Sequence, residues 1–447
     1  MNTEFQNKIK TILGKEFDAF IASYNNPTIK SIRVNTLKID TNKLITAMSS
    51  NLNINPEVFT SIPWCSTGLY LNSNDITLGK QPYYHAGAYY IQEASAMIPV
   101  EILNPIPGDK VLDLCAAPGG KSVQIGVKLE GQGLLVTNDI SPKRTKALTK
   151  NIQMAGINNA IVTNSTPDQL SKQYPSFFDK ILVDAPCSGE GMFKKDKNAE
   201  KNWSNNYVLE CQSIQRDILK EAIKMLKPGG KLVYSTCTFS PEENEDHIEF
   251  ISTNFPTMHL DPLEPFASLS NGINGEKVLR AWPHLINGTG HFISSFKKDD
   301  SNISSLSPQI SNDFYSESFD KFMEDFNSFY NGTIHQIKDN IYFLIDDIKF
   351  LKGPRVECMG LHLGSIKNDR FKPSQALAAS LKIGMFKNIL NLNLSDPLTL
   401  KYLKGETLNI DMDKGWVLIC LDNMPLGWAK STGSFLKNQY NPNWRMN

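Results

Sequence analysis

The stretch Val111-Leu-Asp-Leu-Cys115-Ala-Ala-Pro-Gly-Gly-Lys121 decides the fold. A short apolar run passes into a loop of small residues, and a helical stretch follows. Such a loop lets a ligand approach the backbone and aims the next helix's N-terminus at it. The adjacent glycines match neither Gly-x-Gly-x-x-Gly nor the phosphate loop, which weakens nicotinamide and triphosphate readings. Further runs follow at Leu134–Asp139, Ala160–Asn164, Lys180–Asp184 and Lys231–Ser235, with helical stretches at Ser141–Ala155 and Tyr207–Leu226 between them. Alternation of this kind predicts an α/β, Rossmann-like domain: a mostly parallel sheet with helices on both faces. Asp139 ends the second run 19 positions after Gly120. Open sheets use an acid at about that distance to hold ribose hydroxyls. A tight turn with a capping aspartate is the plainer alternative, and the combination favours a nucleoside-type cofactor.

Two later strand ends carry thiols. Lys180-Ile-Leu-Val-Asp184 leads into Ala185-Pro-Cys187-Ser-Gly-Glu-Gly191, and Leu232-Val-Tyr-Ser235 leads into Thr236-Cys237-Thr238. The C-terminal strand ends line the ligand crevice of an open sheet, so Asp184, Cys187 and Cys237 are expected to share one site. A lone cysteine is usually a small core residue, and that reading stays for Cys65, Cys211, Cys358 and Cys420. Methylation of cytosine at carbon 5 wants such a set. A thiolate adding to carbon 6 makes carbon 5 nucleophilic towards the methyl of S-adenosylmethionine. An acid at ring N3, for which Asp184 is placed, stabilises the developing charge. Lys121 or a helix N-terminus is a candidate for lowering a thiol's pKa. These considerations do not rank the two cysteines.

The whole chain has 447 residues, 46 Lys+Arg against 46 Asp+Glu, and 40% apolar residues. That fits a globular protein of several domains and excludes overall disorder. The longest apolar runs fall short of a membrane span, the N-terminus lacks a signal-peptide pattern, and the seven widely spaced cysteines suggest free thiols in a cytoplasmic setting. Histidines and cysteines show no metal spacing. Charge is uneven: Asp299–Tyr330 holds seven acids against Lys321, whereas Ile341–Asn447 holds 14 basic and 9 acidic residues. We expect residues 1–100 to form a small α+β domain, with a helix over Phe5–Tyr24 and a strand over Ser31–Ile39. Residues 101–297 form the cofactor domain, with a late hairpin over His284–Phe296, and 298–340 an acidic linker. Residues 341–447 form a second small α+β domain with a basic, aromatic tail.

Taken together, Asp113-Leu-Cys-Ala-Ala-Pro-Gly-Gly-Lys121, Asp184-Ala-Pro-Cys-Ser-Gly189 and Tyr234-Ser-Thr-Cys-Thr238 resemble the Nol/Nop/Sun family of RNA cytosine-5 methyltransferases. The likeness extends to Arg33-Val-Asn-Thr-Leu-Lys38, Gly87-Ala-Tyr-Tyr-Ile-Gln92, Pro241-Glu-Glu-Asn244 and Gly290-His-Phe-Ile293, covering about two-thirds of the chain. Glu190-Gly-Met-Phe193, Leu426-Gly-Trp-Ala-Lys430 and Phe435-Leu-Lys-Asn438 look more narrowly like bacterial RsmF-type enzymes, which methylate 16S ribosomal RNA. The resemblance implies Cys237 as the carbon-6 nucleophile, Cys187 as the thiol that helps release the product, and Asp184 as the acid near cofactor and base. It implies that Cys115, Ala116, Ala117, Pro118, Gly119, Gly120 and Lys121 surround the methionine portion of S-adenosylmethionine, with Asp139 on the ribose. Many relatives carry an aspartate near the adenine; Thr166 stands about there in this chain. The implied partner is 16S ribosomal RNA or the small ribosomal subunit, met by a monomer that needs neither membrane nor metal.

Arg33, Lys38, Lys194 and Lys195 are candidate phosphate contacts. Trp428, Lys430, Lys437, Trp444 and Arg445 mix cations with rings as single-stranded RNA binders do, although a small core with a basic rim explains the tryptophans as well. Glu242, Glu243, Glu245 and Asp246 read as a helix start. The competing functions are a transfer-RNA cytosine-5 methyltransferase, an amino-group methyltransferase, and a non-catalytic ribosome-assembly factor. The segment Asp184-Ala-Pro-Cys187 disfavours the second; intact Cys237 and the cofactor loop disfavour the third.

Overall fold

The computed structural model describes residues 1–73, 75–300, 314–345 and 355–446. Its centre is a mixed sheet. In spatial order its strands are Met258–Leu260, His291–Lys298, Leu226–Thr236, Phe178–Asp184, Lys110–Asp113, Leu134–Asn138, Ala160–Thr163 and Val356–Met359, with Leu279–Ala281 added beside His291–Lys298. The five strands from Leu226–Thr236 to Ala160–Thr163 run parallel. The predicted parallel, doubly covered sheet is therefore present. Alternation along each strand explains the covering. Val111, Leu135, Val162, Leu182 and Val233 face a core shared with Gly120–Lys128 and Pro142–Met154. Leu112, Val136, Ile161, Val183 and Tyr234 face the other, shared with Asn205–Met225 and Asp246–Asn254. Successive strand side chains point to opposite faces, so one sheet feeds two cores.

The N-terminal region is an antiparallel sheet ordered Phe59–Ile62, Cys65–Leu71, Lys30–Val34, Tyr89–Ile91. The single helix expected over Phe5–Tyr24 is broken. Gly14, at φ +53°, caps Thr3–Leu13, and a second helix runs from Phe17 to Ser23. The strand expected over Ser31–Ile39 stops at Val34 because Asn35 turns its amide to the carbonyls of Gly87 and Ala155, both at 2.8 Å. The late hairpin pairs Leu279–Ala281 with His291–Lys298. Asn287-Gly288 lies within its wide loop rather than forming a tight turn.

The linker expectation needs correction. Of residues 298–340, positions 301–313 lie outside the described residues, but 314–340 are structured. The helix Glu317–Met323 buries Phe319 and Phe322 among Phe371, Phe386 and Trp428. Thr333–Ile337 opens a sheet with Asn340–Leu344, Leu361–Lys367 and Arg370–Pro373. Aromatic residues spaced to one helix face outweigh the acids that made the segment look solvated. A last sheet joins Ile389–Leu392, Gly415–Leu421, Met424–Ser431 and Leu436–Asn438.

The terminal regions meet. One apolar core contains Ile32, Val34 and Tyr89 from the N-terminal sheet, Leu392 and Val417 from the last sheet, and Tyr402 and Trp444 from the helical segments beside it. The tail tryptophans Trp428 and Trp444 are thus core residues, 1% and 5% exposed. Two of the candidate phosphate contacts are structural as well. Arg33 is buried, bonds to Gln92 and Gln124, and lies over the Tyr90 ring. Lys38 donates to the Ala379 carbonyl, tying N- to C-terminal region. Lys194 Nζ donates to the Ser23 carbonyl at 3.3 Å, and Lys195 is exposed. Among the described residues no helix is long and apolar enough to cross a membrane.

Candidate active site

The parallel strands all release their chains on one side of the sheet, and a cleft of about 820 Å³ opens there. Cys115, Asp139, Thr166, Asp184, Cys187 and Cys237 all line it. Residues far apart in the chain converge because each ends a strand or follows one within three residues. Thr236 pairs with Phe292 on one side, while Ser235 lies opposite Asp184 on the other. The segments after these two strands bring the sulfurs of Cys187 and Cys237 to 3.4 Å. The hydrogen bond with Cys237, then burial, pushes the Cys187 thiol well above its ordinary pKa. Either sulfur can be the donor in this contact.

Asp184 is held by side chains. Its Oδ2 accepts from Lys121 Nζ at 2.8 Å, and Oδ1 accepts from Ser235 Oγ at 2.8 Å. His291 Nε2 stands 3.5 Å from Oδ1. Burial alone would raise this carboxyl; Lys121 and His291 outweigh it and hold it well below the usual carboxylate range. Asp184 is consequently an ionised acceptor. Lys121, a candidate for activating a thiol, is instead the partner of this carboxylate.

The other end of the cleft is built on main chain. The Ala117–Pro118 peptide is cis, and Gly119 at φ +111° caps the helix Gly120–Lys128. A Cβ on Gly119 would meet Leu148 at 3.0 Å, which together with its positive φ explains the small residue. Cys115 and Ala117 face the cleft; Ala116, Pro118, Gly119 and Gly120 shape the turn behind them. Burial pushes the Cys115 thiol well up, so it stays neutral. Asp139 Oδ2 accepts from the Ala117 N–H at 3.3 Å, Oδ1 from the Ser141 N–H at 2.9 Å, and Arg144 stands 3.4 Å away. Thr166 borders the cleft but is committed elsewhere. It caps Pro167–Gln173 in a capping box, its Oγ1 accepting from the Gln169 N–H at 3.3 Å.

Several cleft residues escaped the sequence reading. Ile140 is 66% exposed on the rim, an apolar surface next to the ribose-type acid. Arg144 also donates to the Ala117 carbonyl. Ser235 and His291 lie inside the quoted stretches Tyr234–Thr238 and Gly290–Ile293, but nothing in those stretches marks them as partners of Asp184. All seven cysteines are unpaired, and among the described residues no group of His, Cys, Asp or Glu could hold a metal ion.

Four family models match successive parts of the chain. The profile "16S rRNA methyltransferase RsmB/F" matches residues 100–297. The "N-terminal domain of 16S rRNA methyltransferase RsmF" matches 1–94, the "RsmF rRNA methyltransferase first C-terminal domain" 321–381, and the "Methyltransferase RsmF PUA domain" 389–446. A ribosomal RNA small subunit methyltransferase F from Vibrio vulnificus is 31% identical over 97% of this chain and 95% of its own. Its namesake from Shewanella loihica is 31% identical over 98% and 94%. A solved methyltransferase homolog from Pyrococcus horikoshii is 30% identical, covers 67% of this chain and 95% of its own, and superposes with a TM-score of 0.58.

Proposed function

The chain belongs to the ribosomal RNA small subunit methyltransferase F family, and from that premise we propose that it methylates carbon 5 of cytosine in 16S ribosomal RNA. The observation that carries this reading is the thiol pair, two sulfurs 3.4 Å apart in the cleft that also holds Asp139. Amine methylation has no use for such a pair.

The cleft suits S-adenosylmethionine, which supplies an electrophilic methyl group. Asp139 would hold the ribose hydroxyls, Ile140 would face the adenine, and the main chain from Cys115 to Lys121 would surround the methionine portion. A cytosine must leave its stack to reach the sulfurs. Cys237 then adds to carbon 6, and carbon 5 becomes the nucleophile. The sulfur contact supports a two-thiol reading, because a thiol beside the attacking sulfur can donate to its thiolate and stabilise it. As the sulfur adds, ring N3 takes up a proton from solvent water, and the ionised Asp184 accepts from that N3–H. After methyl transfer, a water molecule takes the carbon-5 proton, the carbon 6–sulfur bond breaks, Cys237 leaves as a thiolate that the Cys187 thiol stabilises by hydrogen bonding, and the product loses its N3 proton to solvent. The PUA-type region and the basic C-terminal surface would grip the surrounding RNA, offsetting the cost of unstacking.

The test uses 16S ribosomal RNA from cells lacking this protein. Cys237→Ala abolishes methyl transfer while calorimetry still detects S-adenosylmethionine binding. Cys187→Ala accumulates a protein–RNA adduct that survives denaturation. Exchange of these phenotypes overturns the role assignment. Methylated amines, or 5-methylcytosine in transfer RNA alone, overturn the substrate.

A further inference from the structure

Each thiol loop is followed by a buried glutamate, and each glutamate binds the other loop. Glu190 follows Cys187 and is wholly buried. Its carboxylate accepts from the Phe239 N–H at 2.7 Å and the Ser240 N–H at 3.0 Å, both just beyond Cys237, and from Trp203 Nε1 at 2.9 Å. Glu243 follows Cys237 and is equally buried. Its Oε2 accepts from the Ser188 N–H at 3.0 Å, adjacent to Cys187, and from Gln215 Nε2 at 2.7 Å. The same Gln215 amide donates to the Pro186 carbonyl at 2.9 Å, so the Cys187 loop is held on both sides of the thiol. Ser188 and Thr238, which directly follow the two cysteines, meet through their hydroxyls at 2.8 Å. The Gly191 N–H donates to the Cys237 carbonyl at 2.8 Å, an approach that a Cβ at 191 would block at 2.9 Å.

Burying a carboxylate is costly unless donors surround it, and apolar residues of similar volume fill such space at less cost. Two such groups directly behind two reactive loops, each reaching across rather than back, indicate a demand other than packing. Beyond them, the loops meet through the Ser188–Thr238 hydroxyls, the Gly191–Cys237 main-chain bond and the sulfurs themselves.

We propose that Glu190 and Glu243 form a crossed clamp, positioning residues that each fix the loop of the cysteine they do not follow and so hold the two sulfurs in contact. In turnover the clamp serves the thiol roles given above, and on that reading Glu243 governs release and Glu190 governs attack.

Full-length Glu190→Gln and Glu243→Gln proteins test this without RNA first. Alkylation of each cysteine by iodoacetamide is followed by peptide mass spectrometry. The clamp requires a crossed pattern: Glu243→Gln speeds alkylation of Cys187 about fivefold and leaves Cys237 unchanged, and Glu190→Gln does the reverse, because only the released loop opens. With 16S ribosomal RNA from cells lacking this protein, each variant lowers kcat about tenfold with KM nearly constant. Glu243→Gln retains adduct formation and slows its breakdown; Glu190→Gln slows formation. If a glutamine variant fails to fold, the aspartate variant at that position gives the same pattern at smaller amplitude. Both thiols accelerating together in either variant, or neither changing, overturns the clamp. A crossed alkylation pattern without any adduct upholds the clamp and overturns Cys237 as nucleophile.

Discussion

Asp139 and Asp184 border the same cleft, yet they are anchored by different kinds of group. Asp139 accepts from two main-chain amides, those of Ala117 and Ser141, with Arg144 beside it. Asp184 accepts from two side chains, Lys121 and Ser235, and faces a third, His291. A carboxylate fixed by backbone sits in one place whatever occupies the cleft, which suits uniform binding of a cofactor. A carboxylate held by side chains, one of them the Lys121 ammonium, in a buried setting is sensitive to charge that appears during a reaction. One end of the cleft therefore binds, and the other reacts.

Exchanging the two carboxylates' roles by mutation would break this contrast. Asp184→Asn is expected to have the largest effect, a loss of about 10³-fold in kcat with cofactor affinity little changed, because it removes an interaction made in the transition state. Single-turnover methylation at saturating S-adenosylmethionine measures it; a change in KM alone would place Asp184 in binding. Asp139→Asn should weaken cofactor binding by about 2 kcal/mol, roughly thirtyfold, through a lost charge-assisted hydrogen bond. Calorimetry gives that value, and kcat at saturation should stay near that of the unaltered protein.

Titration sharpens the contrast further. Beneath the cofactor loop, burial outweighs the Ser122 hydrogen bond and raises Asp113 to about 7. Behind the Cys187 loop, burial likewise raises Glu243 to about 7. In each case the folded state holds its proton more tightly than the unfolded chain. This stability is fully present below the ordinary carboxylate range and is lost as pH rises through about 7. Urea unfolding should therefore lose stability between about pH 4 and pH 7, by at most about 1.4 kcal/mol per pH unit for each group. Asp113→Asn should flatten the share from the cofactor end and Glu243→Gln that from the thiol end. A slope unchanged by both variants would remove these groups as its source. The smallest effect belongs to Thr166→Ala. Loss of its cap should cost about 1 kcal/mol of stability, while the cofactor dissociation constant moves by less than about twofold, since the hydroxyl is spent on Gln169.

Local patterns were readable where a residue's neighbours in the chain are also its neighbours in space. Val111–Lys121 shows strand, turn and helix because each is set by adjacent residues, and the later apolar runs announced the parallel strands in the same way. Arg33 and Lys38 misled because a basic side chain looks the same in sequence whether it meets phosphate or a buried carbonyl. The segment 314–340 misled because its acids are conspicuous, whereas Phe319 and Phe322 reveal themselves only against Phe371 and Trp428.

From sequence alone came a sheet with reactive groups at its strand ends, a loop suited to a nucleoside cofactor, and two thiols with an acid before them. Tertiary structure alone decided that Lys121 serves Asp184, that the sulfurs touch, and that Glu190 and Glu243 each reach the opposite loop. The reason is physical: strand and turn preferences act over a few residues, whereas ionisation and thiol geometry depend on charges and donors that only folding brings within about 4 Å.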